Sequence, residues 1–407
     1  DVTFADGADL ITASAGTSNT RIGVNAGNSI TSGGNYNVVV GDEAGTALTT
    51  GDQNVAVGYQ ALDALDTAIR NVAVGTTALT SDTKGDASVA VGHGALFTQN
   101  FTTTTSVYNT AVGYHAGVSV TTGVNNTLLG ALAGDALTDA DHNTAVGRGS
   151  LGADTLGSRA VAVGFGALSS QNFTTATDNY NVAVGFNAGV LVTTGTDNTL
   201  IGALAGDALT VGSLNVALGK NALGSDTKGS RSTALGRLAL GNQNFTTATE
   251  TYNIAVGYSA GSAVTTGFQN TLIGGLAGDS FTDSDRNTAV GFQALTADTL
   301  GQYSTAMGYF ALGSQNFTTA TDSYNTAVGY VAGSSITTGT NNTIIGANTG
   351  DALTIGVDNV AVGRSSLTTD VAGKYSVAIG SSALESQNFT TATDTYNTAV
   401  GFSAGKS

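Results

Sequence analysis

Short alternations of β-branched and small residues recur along the whole chain. Residues 54–58 read Asn-Val-Ala-Val-Gly, with aliphatic side chains at alternate positions and alanine between them. Alternation with a period of two is typical of a β-strand. A second glycine often follows ten residues after the first, as at the end of residues 121–123, Thr-Thr-Gly. Each copy of the pattern therefore predicts two short strands and two turns.

The pattern returns at fixed intervals. A core glycine preceded by tyrosine at five residues and asparagine at four residues recurs every 72 residues. The six positions are Gly41, Gly113, Gly185, Gly257, Gly329 and Gly401. Within one such superrepeat the core glycines lie 17, 17, 17 and 21 residues apart, so every fourth copy carries a four-residue insertion. Counted from Gly23 there are 22 copies. One copy per coil of a parallel β-solenoid, at ~4.8 Å per coil, predicts a rod on the order of 100 Å long.

Composition favours this all-β fold over the alternatives. The chain has 407 residues with 57 glycines and no proline. Glycine costs about 1 kcal/mol at each interior helical position, and every interior coil of a solenoid needs the backbone N–H that proline lacks. With 41% hydrophobic and 10% charged residues, the chain is too apolar for disorder. We expect a continuous solenoid over residues 19–407 and an N-terminal cap or junction segment over residues 1–18.

Charge and cysteine content exclude several partners. The formal net charge is −16, from 29 acidic residues against 13 lysines and arginines. Such a surface repels nucleic acid and anionic membranes. No apolar run approaches the ~18 residues of a membrane helix, and the absence of cysteine excludes disulfides and thiolate metal sites. We therefore expect neither a nucleic-acid partner nor membrane insertion.

An asparagine stands four residues before most core glycines. The row includes Asn37, Asn54, Asn71, Asn109, Asn126, Asn143, Asn181, Asn198 and Asn215. Only the fourth coil of each superrepeat departs from it, with serine or alanine. Asparagine tolerates turn conformations and bonds to neighbouring backbone, so we interpret the row as a structural ladder. The alternative is a polar row that binds a ligand.

Small residues mark one face of each predicted coil, namely Ala56, Gly58, Ala61 and their equivalents. A 17-residue coil encloses a thin core, and small side chains allow another backbone to approach closely. A single narrow roll would also leave much apolar strand surface in water. Lateral association around an axis, most simply of three chains, would cover that surface. This argument predicts a homo-oligomer with the small-residue face at its axis.

Residues 109–117, Asn-Thr-Ala-Val-Gly-Tyr-His-Ala-Gly, resemble the head repeats of trimeric autotransporter adhesins of the YadA type. They are still more similar to the 17-residue Asn-Thr-Ala-Val-Gly repeats of phage tail-fibre proteins. The resemblance covers residues 19–405 and implies a left-handed parallel β-roll, usually trimeric, on the outside of a virion or cell. The 72-residue superrepeat is more regular than the family pattern requires.

The four-residue insertion is the best candidate for a binding site. The nine-residue segment of the lengthened coil, Ser-Gln-Asn-Phe-Thr-Thr-Ala-Thr-Asp, recurs at residues 170–178, 314–322 and 386–394, with close copies elsewhere. Protruding aromatic side chains here could stack against sugar rings of a host-surface glycan. Alternatively, the phenylalanines fill gaps at a subunit seam. The residues concerned are Phe101, Phe173, Phe245, Phe317 and Phe389, with Tyr108, Tyr180, Tyr252, Tyr324 and Tyr396.

Calcium is the one metal that the composition suggests. An aspartate recurs at 72-residue intervals, at Asp135, Asp207, Asp279 and Asp351. A calcium site needs six to eight oxygen ligands, and the companion acids of the first and third copies are missing from the other two. A solvated acidic face is the better interpretation, so we expect no cofactor.

Catalysis finds little support in the sequence. His93, His115 and His142 all lie in the N-terminal third, and no later repeat carries a histidine at the equivalent position. Paired carboxylates for glycoside hydrolysis need a unique cleft, whereas this sequence predicts a uniform rod. We therefore do not expect an enzyme.

A structural role outside the cell is the function that these features favour. The leading hypothesis is a homotrimeric phage tail-fibre shaft or host-recognition rod, exposed on a virion or extracellularly. An alternative is a bacterial surface adhesin or filament subunit that polymerises end to end, because the last residues open a new coil with no polar cap. A weaker alternative is a multivalent glycan-binding module that acts through the Gln-Asn-Phe-Thr-Thr loops.

Overall fold

The computed structural model of the chain describes residues 15–406 and confirms the predicted parallel β-solenoid. Strand is the regular secondary structure of these residues, and none of them is helical. Most of the predicted N-terminal cap or junction, residues 1–14, lies outside the described residues. The chain divides into two compact units, Asp1–Thr194 and Gly195–Ser407.

Ten strands of three residues and four of two residues make up the described part of the first unit. They are β1 (Thr20–Ile22), β2 (Val38–Val40), β3 (Val55–Val57), β4 (Val72–Val74), β5 (Gly85–Asp86), β6 (Val89–Val91), β7 (Thr105–Ser106), β8 (Thr110–Val112), β9 (Thr127–Leu129), β10 (Thr144–Val146), β11 (Gly157–Ser158), β12 (Val161–Val163), β13 (Thr177–Asp178) and β14 (Val182–Val184).

Twelve strands of three residues and six of two residues make up the described part of the second unit. They are β15 (Thr199–Ile201), β16 (Val216–Leu218), β17 (Gly229–Ser230), β18 (Thr233–Leu235), β19 (Thr249–Glu250), β20 (Ile254–Val256), β21 (Thr271–Ile273), β22 (Thr288–Val290), β23 (Gly301–Gln302), β24 (Thr305–Met307), β25 (Thr321–Asp322), β26 (Thr326–Val328), β27 (Thr343–Ile345), β28 (Val360–Val362), β29 (Gly373–Lys374), β30 (Val377–Ile379), β31 (Thr393–Asp394) and β32 (Thr398–Val400).

The three-residue strands of each unit pair in parallel, and equivalent residues stand opposite each other. In the first unit Ala56 of β3 pairs with Ala73 of β4. In the second unit Thr271 of β21 pairs with Thr288 of β22. Each coil thus stacks its strand on the strand of the next, which explains why the repeat keeps its 17-residue register so strictly.

The prediction of two strands in every coil is wrong for most coils. Two-residue strands occur only beside the insertions, where for example β5 pairs with β7. Elsewhere the remainder of the coil consists of turns. In the coil of β3 these turns place Gln60 and Leu62 at φ of 54° and 53°. Residues in this left-handed region cannot continue a strand, so the chain bends there instead.

The core of each coil is narrow and is filled by small and medium-sized side chains. Ala56, at the centre of β3, is 1% exposed, whereas Val55 and Val57 on either side are half-buried. Leu62 and Leu65 fill the rest of this coil's interior and are also buried. The strand alanines therefore point into their own coil, and the β-branched residues point outward.

This orientation corrects one expectation. The small-residue face was expected at the axis between chains, with small side chains that admit a neighbouring backbone. Ala56 and Ala61 instead face the interior of their own coil, where no second chain can reach them. Alanine is not the only residue that the strand position admits: Leu128 is buried at the equivalent position of β9, where Gly134 replaces the turn leucine. The volume inside one coil is thus shared between the strand residue and the turn residue, and Ala56 accompanies the larger turn side chain of Leu62.

The core glycines form a column that no other residue could replace. Gly58 has a φ of 135°, a conformation that L-residues rarely adopt. A Cβ atom on Gly58 would lie 2.5 Å from the carbonyl oxygen of Gly75 in the next coil. The same close approach recurs between successive core glycines, so the glycine repeat follows directly from the stacking of coils.

The asparagine row is buried and fully hydrogen-bonded. Asn54 Oδ1 accepts a bond from the backbone N–H of Asn71 at 2.9 Å, and its Nδ2 donates to the carbonyl of Ala68 at 2.9 Å. Asn143 makes the equivalent bonds in its own coil, to Ala160 and Gly157. Each side chain thus links one coil to the next and closes its own coil, which leaves it no capacity for an external ligand.

Candidate functional site

The insertion in the fourth coil is held in place by a buried carboxylate. Asp82 lies seven residues after its core glycine, where Leu65 fills the core of the preceding coil. Its Oδ1 accepts bonds from the backbone N–H groups of Gly85 and Phe101, at 3.0 and 3.1 Å. Its Oδ2 accepts a bond from Gln99 Nε2 at 2.5 Å. The equivalent bonds recur at Asp154, Asp226, Asp298 and Asp370.

The same network explains why the asparagine row changes in the fourth coil. Gln99 Nε2 also donates to Ser88 Oγ at 3.0 Å, and Gln99 Oε1 accepts a bond from Asn109 Nδ2 at 2.9 Å. A serine at position 88 therefore leaves room for the glutamine that enters with the insertion. Burial raises the pKa of Asp82, although the hydrogen bonds that it accepts oppose this shift.

The predicted binding phenylalanines are mostly interior residues. Phe101, Phe173, Phe245 and Phe317 are 5–7% exposed, and Phe389 is half-buried. A Cβ atom on Gly157 would lie 2.8 Å from Cδ2 of Phe173. The phenylalanine ring thus packs on the glycine that follows the buried aspartate. For the first four this burial corrects the picture of protruding rings, because they fill space within their own chain, where neither a sugar nor a second subunit reaches them.

The predicted binding tyrosines, in contrast, lie on the surface. Tyr108, Tyr180, Tyr252, Tyr324 and Tyr396 are 47–70% exposed. They stand five residues before a core glycine, and we call this position of every coil the pre-strand row. The structure therefore separates the two halves of the predicted site, with the phenylalanines inside the chain and the tyrosines outside.

Four of these tyrosines have one ring face covered by the residue one coil earlier in the same row. The guanidinium of Arg159 lies over Tyr180, 6.0 Å from the ring centroid, and forms an ion pair with Asp178. Tyr303 and Tyr324 stack with centroids 5.3 Å apart. A hydrogen bond from its hydroxyl to Asp322 raises the pKa of Tyr324. The sequence analysis missed these stacks because the partners lie 21 residues apart.

A second aromatic row lies on the other side of the strands. Its members directly follow the core glycines, and we call it the post-glycine row. In the second unit Phe292, Tyr309 and Tyr330 form a continuous stack with centroid distances of 6.0 and 5.3 Å. In the first unit Phe165 and Phe186 stack at 5.5 Å. The regular return of an aromatic residue after the core glycine was the signal that could have revealed this row.

Between the two rows lies the outward face of the strands, which we call the strand face. Each coil contributes two side chains to it, such as Thr144 and Val146 in β10. Many of its large aliphatic residues remain exposed to solvent, among them Leu129 at 37% and Met307 at 43%. The third strand position is aliphatic or methionine in every described coil, whereas the first is threonine in 12 of the 22 strands and valine or isoleucine in the rest. The strand face therefore consists, in each unit, of one continuous apolar column beside a mixed one.

The recurrent aspartates do not assemble into a metal site. No group of three or more His, Cys, Asp or Glu residues within residues 15–406 could hold a metal ion. The acids instead accept hydrogen bonds from the neighbouring coil. Asp279 accepts a bond from the Thr296 hydroxyl at 2.6 Å, and Asp141 accepts one from the backbone N–H of Val124 at 2.7 Å. Burial raises the pKa of Asp279.

Within the described residues, no histidine has a nucleophile or a carboxylate within hydrogen-bond distance, so the histidines form no catalytic arrangement there. The rings of His93 and His115 lie 5.2 Å apart, and both pack against Tyr114. His142 stands exposed in the pre-strand row. His93 thus belongs to the post-glycine row and His142 to the pre-strand row, whereas His115 stacks on the post-glycine row from the next position.

Comparison with protein-family models, with curated proteins and with solved structures finds no match for this chain. Among residues 15–406 there is also no helix long and apolar enough to cross a membrane.

Proposed function

We propose that this chain is a structural fibre segment, without enzymatic activity, that associates laterally with copies of itself through the strand face. The leading assembly is a homotrimer on a virion surface or outside a cell. The observation that carries the proposal is the continuous apolar column of the strand face, to which every coil contributes one aliphatic side chain or methionine. Its resemblance to tail-fibre and adhesin repeats supports the same role.

The energetics of burial favour association through this face. An aliphatic side chain that passes from half-exposed to buried stabilises the assembly by ~1 kcal/mol. Association itself costs ~4–15 kcal/mol in lost translational and rotational freedom. Each of the ten coils of the first unit offers one aliphatic residue at the third strand position, and six of them offer a second, valine, at the first. Burial of the strand face can therefore outweigh the cost of bringing the chains together.

The distribution of polar groups also suits an exposed fibre. The buried asparagines and aspartates satisfy their hydrogen bonds within the chain, and the net charge of −16 keeps the remaining surface solvated. Backbone ladders that run from coil to coil resist local opening, which a protease would need for cleavage. A long rigid shaft requires these properties, whereas a catalytic site requires a cleft that none of these features provides.

Light scattering on a size-exclusion column tests the assembly. We expect a mass of about 120 kDa, three times the 40.2 kDa of one chain. The double variant Val146→Glu/Ile345→Glu places one charge on the strand face of each unit and should reduce the mass to that of one chain. The control Thr103→Glu/Thr319→Glu adds the same charge at exposed insertion positions and should leave the trimer intact.

Other masses would favour other assemblies. A broad series of high masses would favour the alternative of end-to-end polymerisation into a surface filament. A wild-type monomer that the strand-face charges leave unchanged would contradict the proposal. The weaker alternative, a glycan-binding module, now depends on the exposed tyrosines, because the buried phenylalanines cannot contact a sugar.

A further inference from the structure

The post-glycine row contains gaps at regular positions. In the second coil of four successive superrepeats the row carries a residue too small to continue the stack, namely Ala131, Ala203, Gly275 or Ala347. The coil before each gap contributes an aromatic residue. The coil after it contributes an arginine or lysine in three cases and a phenylalanine in one. The gaps thus fall at one defined place in each of these four superrepeats.

Backbone hydrogen bonds fix the order of residues around two of these gaps. In the first unit Leu132 N–H donates to the carbonyl of Tyr114 at 2.9 Å, and Gly149 N–H donates to that of Ala131 at 3.1 Å. Tyr114, Ala131 and Arg148 therefore occupy successive coils. Equivalent bonds order Tyr330, Ala347 and Arg364 in the second unit. We call these two triplets the notches.

Each notch has room for one additional ring. Tyr330 stacks on Tyr309 with centroids 5.3 Å apart and ring planes within 14° of parallel. Its opposite face looks toward the coil of Ala347, whose methyl group cannot cover it. Coils are spaced by ~4.8 Å, so Tyr330 and Arg364 lie roughly 10 Å apart along the stack. One flat ring inserted over Ala347 would contact both.

Neither cation of the notches is neutralised by a direct ion pair within the described residues, although the hydrogen bond from Lys406 and, more weakly, the charge of Arg364 lower the pKa of Glu385. The chain has 13 lysines and arginines against 29 acidic residues, yet neither Arg148 nor Arg364 takes part in an ion pair within residues 15–406. The guanidinium of Arg148 lies over Phe165, 5.7 Å from the ring centroid, and this contact holds it in the stack. An arginine fixed in this way can still donate hydrogen bonds to a carboxylate from its edge.

We propose that each notch binds one pyranose ring that carries a carboxylate, as in an acidic surface polysaccharide. The apolar face of the sugar would stack on the tyrosine, and its carboxylate would bind the arginine. The site differs from the predicted insertion loops, and the proposal does not depend on lateral association. The gap at Gly275 offers a natural contrast, since Phe292 stands there in place of the cation.

Saturation-transfer NMR with methyl β-glucuronide and the neutral methyl β-glucoside tests this proposal. For the wild-type chain we expect strong saturation of the glucuronide and a signal roughly tenfold weaker for the glucoside. This factor corresponds to one charge-assisted hydrogen bond. Equal saturation of the two sugars, or saturation of neither, would overturn the proposal.

A variant that fills the gaps should abolish binding. Ala131→Tyr, Ala203→Tyr and Ala347→Tyr together would restore the missing member of the row in each cation-bearing gap. Tyr59 already stands at this position in the first superrepeat, so the coil tolerates tyrosine there. Unchanged glucuronide binding by this variant would exclude the notches as the site. A further outcome is that the wild type fails to bind glucuronide while the gap-filling variant changes the light-scattering mass. That result would assign the notches to contacts between chains and would also overturn the proposal.

A second variant isolates the role of the cations. Arg148→Gln/Lys220→Gln/Arg364→Gln should lower glucuronide binding about tenfold and leave the weak glucoside signal unchanged. The control Lys84→Gln/Lys228→Gln/Lys374→Gln removes the same total charge outside the post-glycine row. Equal loss of binding in the two variants would show that net charge, and not the notch, attracts the acid.

Discussion

At one interior position the regular coils carry an apolar side chain, whereas the insertion coil and the coil before it carry a polar one. Seven residues after the core glycine a regular coil places a buried aliphatic side chain, such as Leu65 or Leu137. At the same position the third and fourth coils place Asp82 and Gln99, which are equally buried and bonded to each other. The backbone path is nearly the same in both, but an apolar contact has been replaced by a polar network.

The difference shows how the fold accommodates extra residues without losing its register. An apolar side chain makes no demand on direction, so a column of leucines would stack as well with the insertion shifted by one residue. A buried carboxylate with three donors accepts only one arrangement. Asp226 binds the backbone of Gly229 and Phe245 together with the Gln243 side chain, and these bonds fix where the extra residues leave and rejoin the coil.

The largest expected effect is the loss of this carboxylate. Asp226→Leu makes the coil that precedes the insertion resemble a regular one but leaves the N–H groups of Gly229 and Phe245 without an acceptor. Gln243 Nε2 also loses one of its two acceptors and retains only Ser232 Oγ. We expect a destabilisation of about 4 kcal/mol, concentrated in this coil. Hydrogen exchange of the Phe245 amide measures it locally, because a repeat protein can open one region at a time.

Two further variants sharpen this result. Asp283→Leu changes an exposed aspartate in the same unit and should alter stability by no more than about 0.5 kcal/mol. Asp226→Asn keeps an oxygen that can accept from the N–H groups of Gly229 and Phe245 and should be less destabilised than Asp226→Leu. If Asp226→Asn proved the less stable of the two, the loss of these acceptors would not be the reason for the first effect.

An intermediate effect is expected from pH. Burial raises the folded-state pKa of Asp82, Asp226 and Asp298 above the unfolded value of 3.8. The folded chain therefore binds these protons more tightly than the unfolded chain does. The resulting stabilisation is complete below pH 3.8 and is lost as the pH rises through the folded-state pKa values. Thermal unfolding should show a more stable chain near pH 4 than at pH 7.

Substitution at these positions should flatten that profile. Asp82→Asn/Asp226→Asn/Asp298→Asn removes the three titrating groups, so the difference between pH 4 and pH 7 should shrink. Glu250→Gln serves as the control, because the hydrogen bond from Tyr252 lowers the pKa of Glu250 and its titration acts in the opposite direction. A wild-type chain that became steadily more stable from pH 4 to pH 7 would contradict the assignment.

Much of the fold followed from the sequence because its causes are local and repeated. The glycine column, the asparagine row and the 17-residue period each reflect a contact that recurs in every coil. The inward face of the strand did not follow, because alanine on one side and valine on the other are both compatible with a core. The volume inside a closed coil decides between them, and it depends on the turn: Ala56 accompanies Leu62, whereas Leu128 accompanies Gly134.

The candidate site was predictable only in part, for a similar reason. The tyrosines and phenylalanines of the insertion share one recurring sequence, yet Tyr180 lies on the surface and Phe173 inside. The anchor Asp154 lies 19 residues before Phe173 and belongs to a different coil. Its sequence signal is an aspartate seven residues after a core glycine and three before another glycine, confined to the coil that precedes each insertion. Its meaning requires knowledge of which coils stack.

The smallest expected effect concerns the corners, which regular and insertion coils share. Arg70 in a regular coil has a φ of 61°, and Tyr108, directly after an insertion, has a φ of 54°. An L-residue in this region costs ~1–2 kcal/mol, and asparagine tolerates it better than arginine. Arg70→Asn should therefore stabilise the chain by about 0.5 kcal/mol in urea unfolding.

The same change at Val72, in the extended strand β4, should destabilise it by about 1 kcal/mol. Equal destabilisation at both positions would mean that the corner conformation carries no strain. Stabilisation at Arg70 alone would show that coil stacking imposes the left-handed corner whatever residue occupies it.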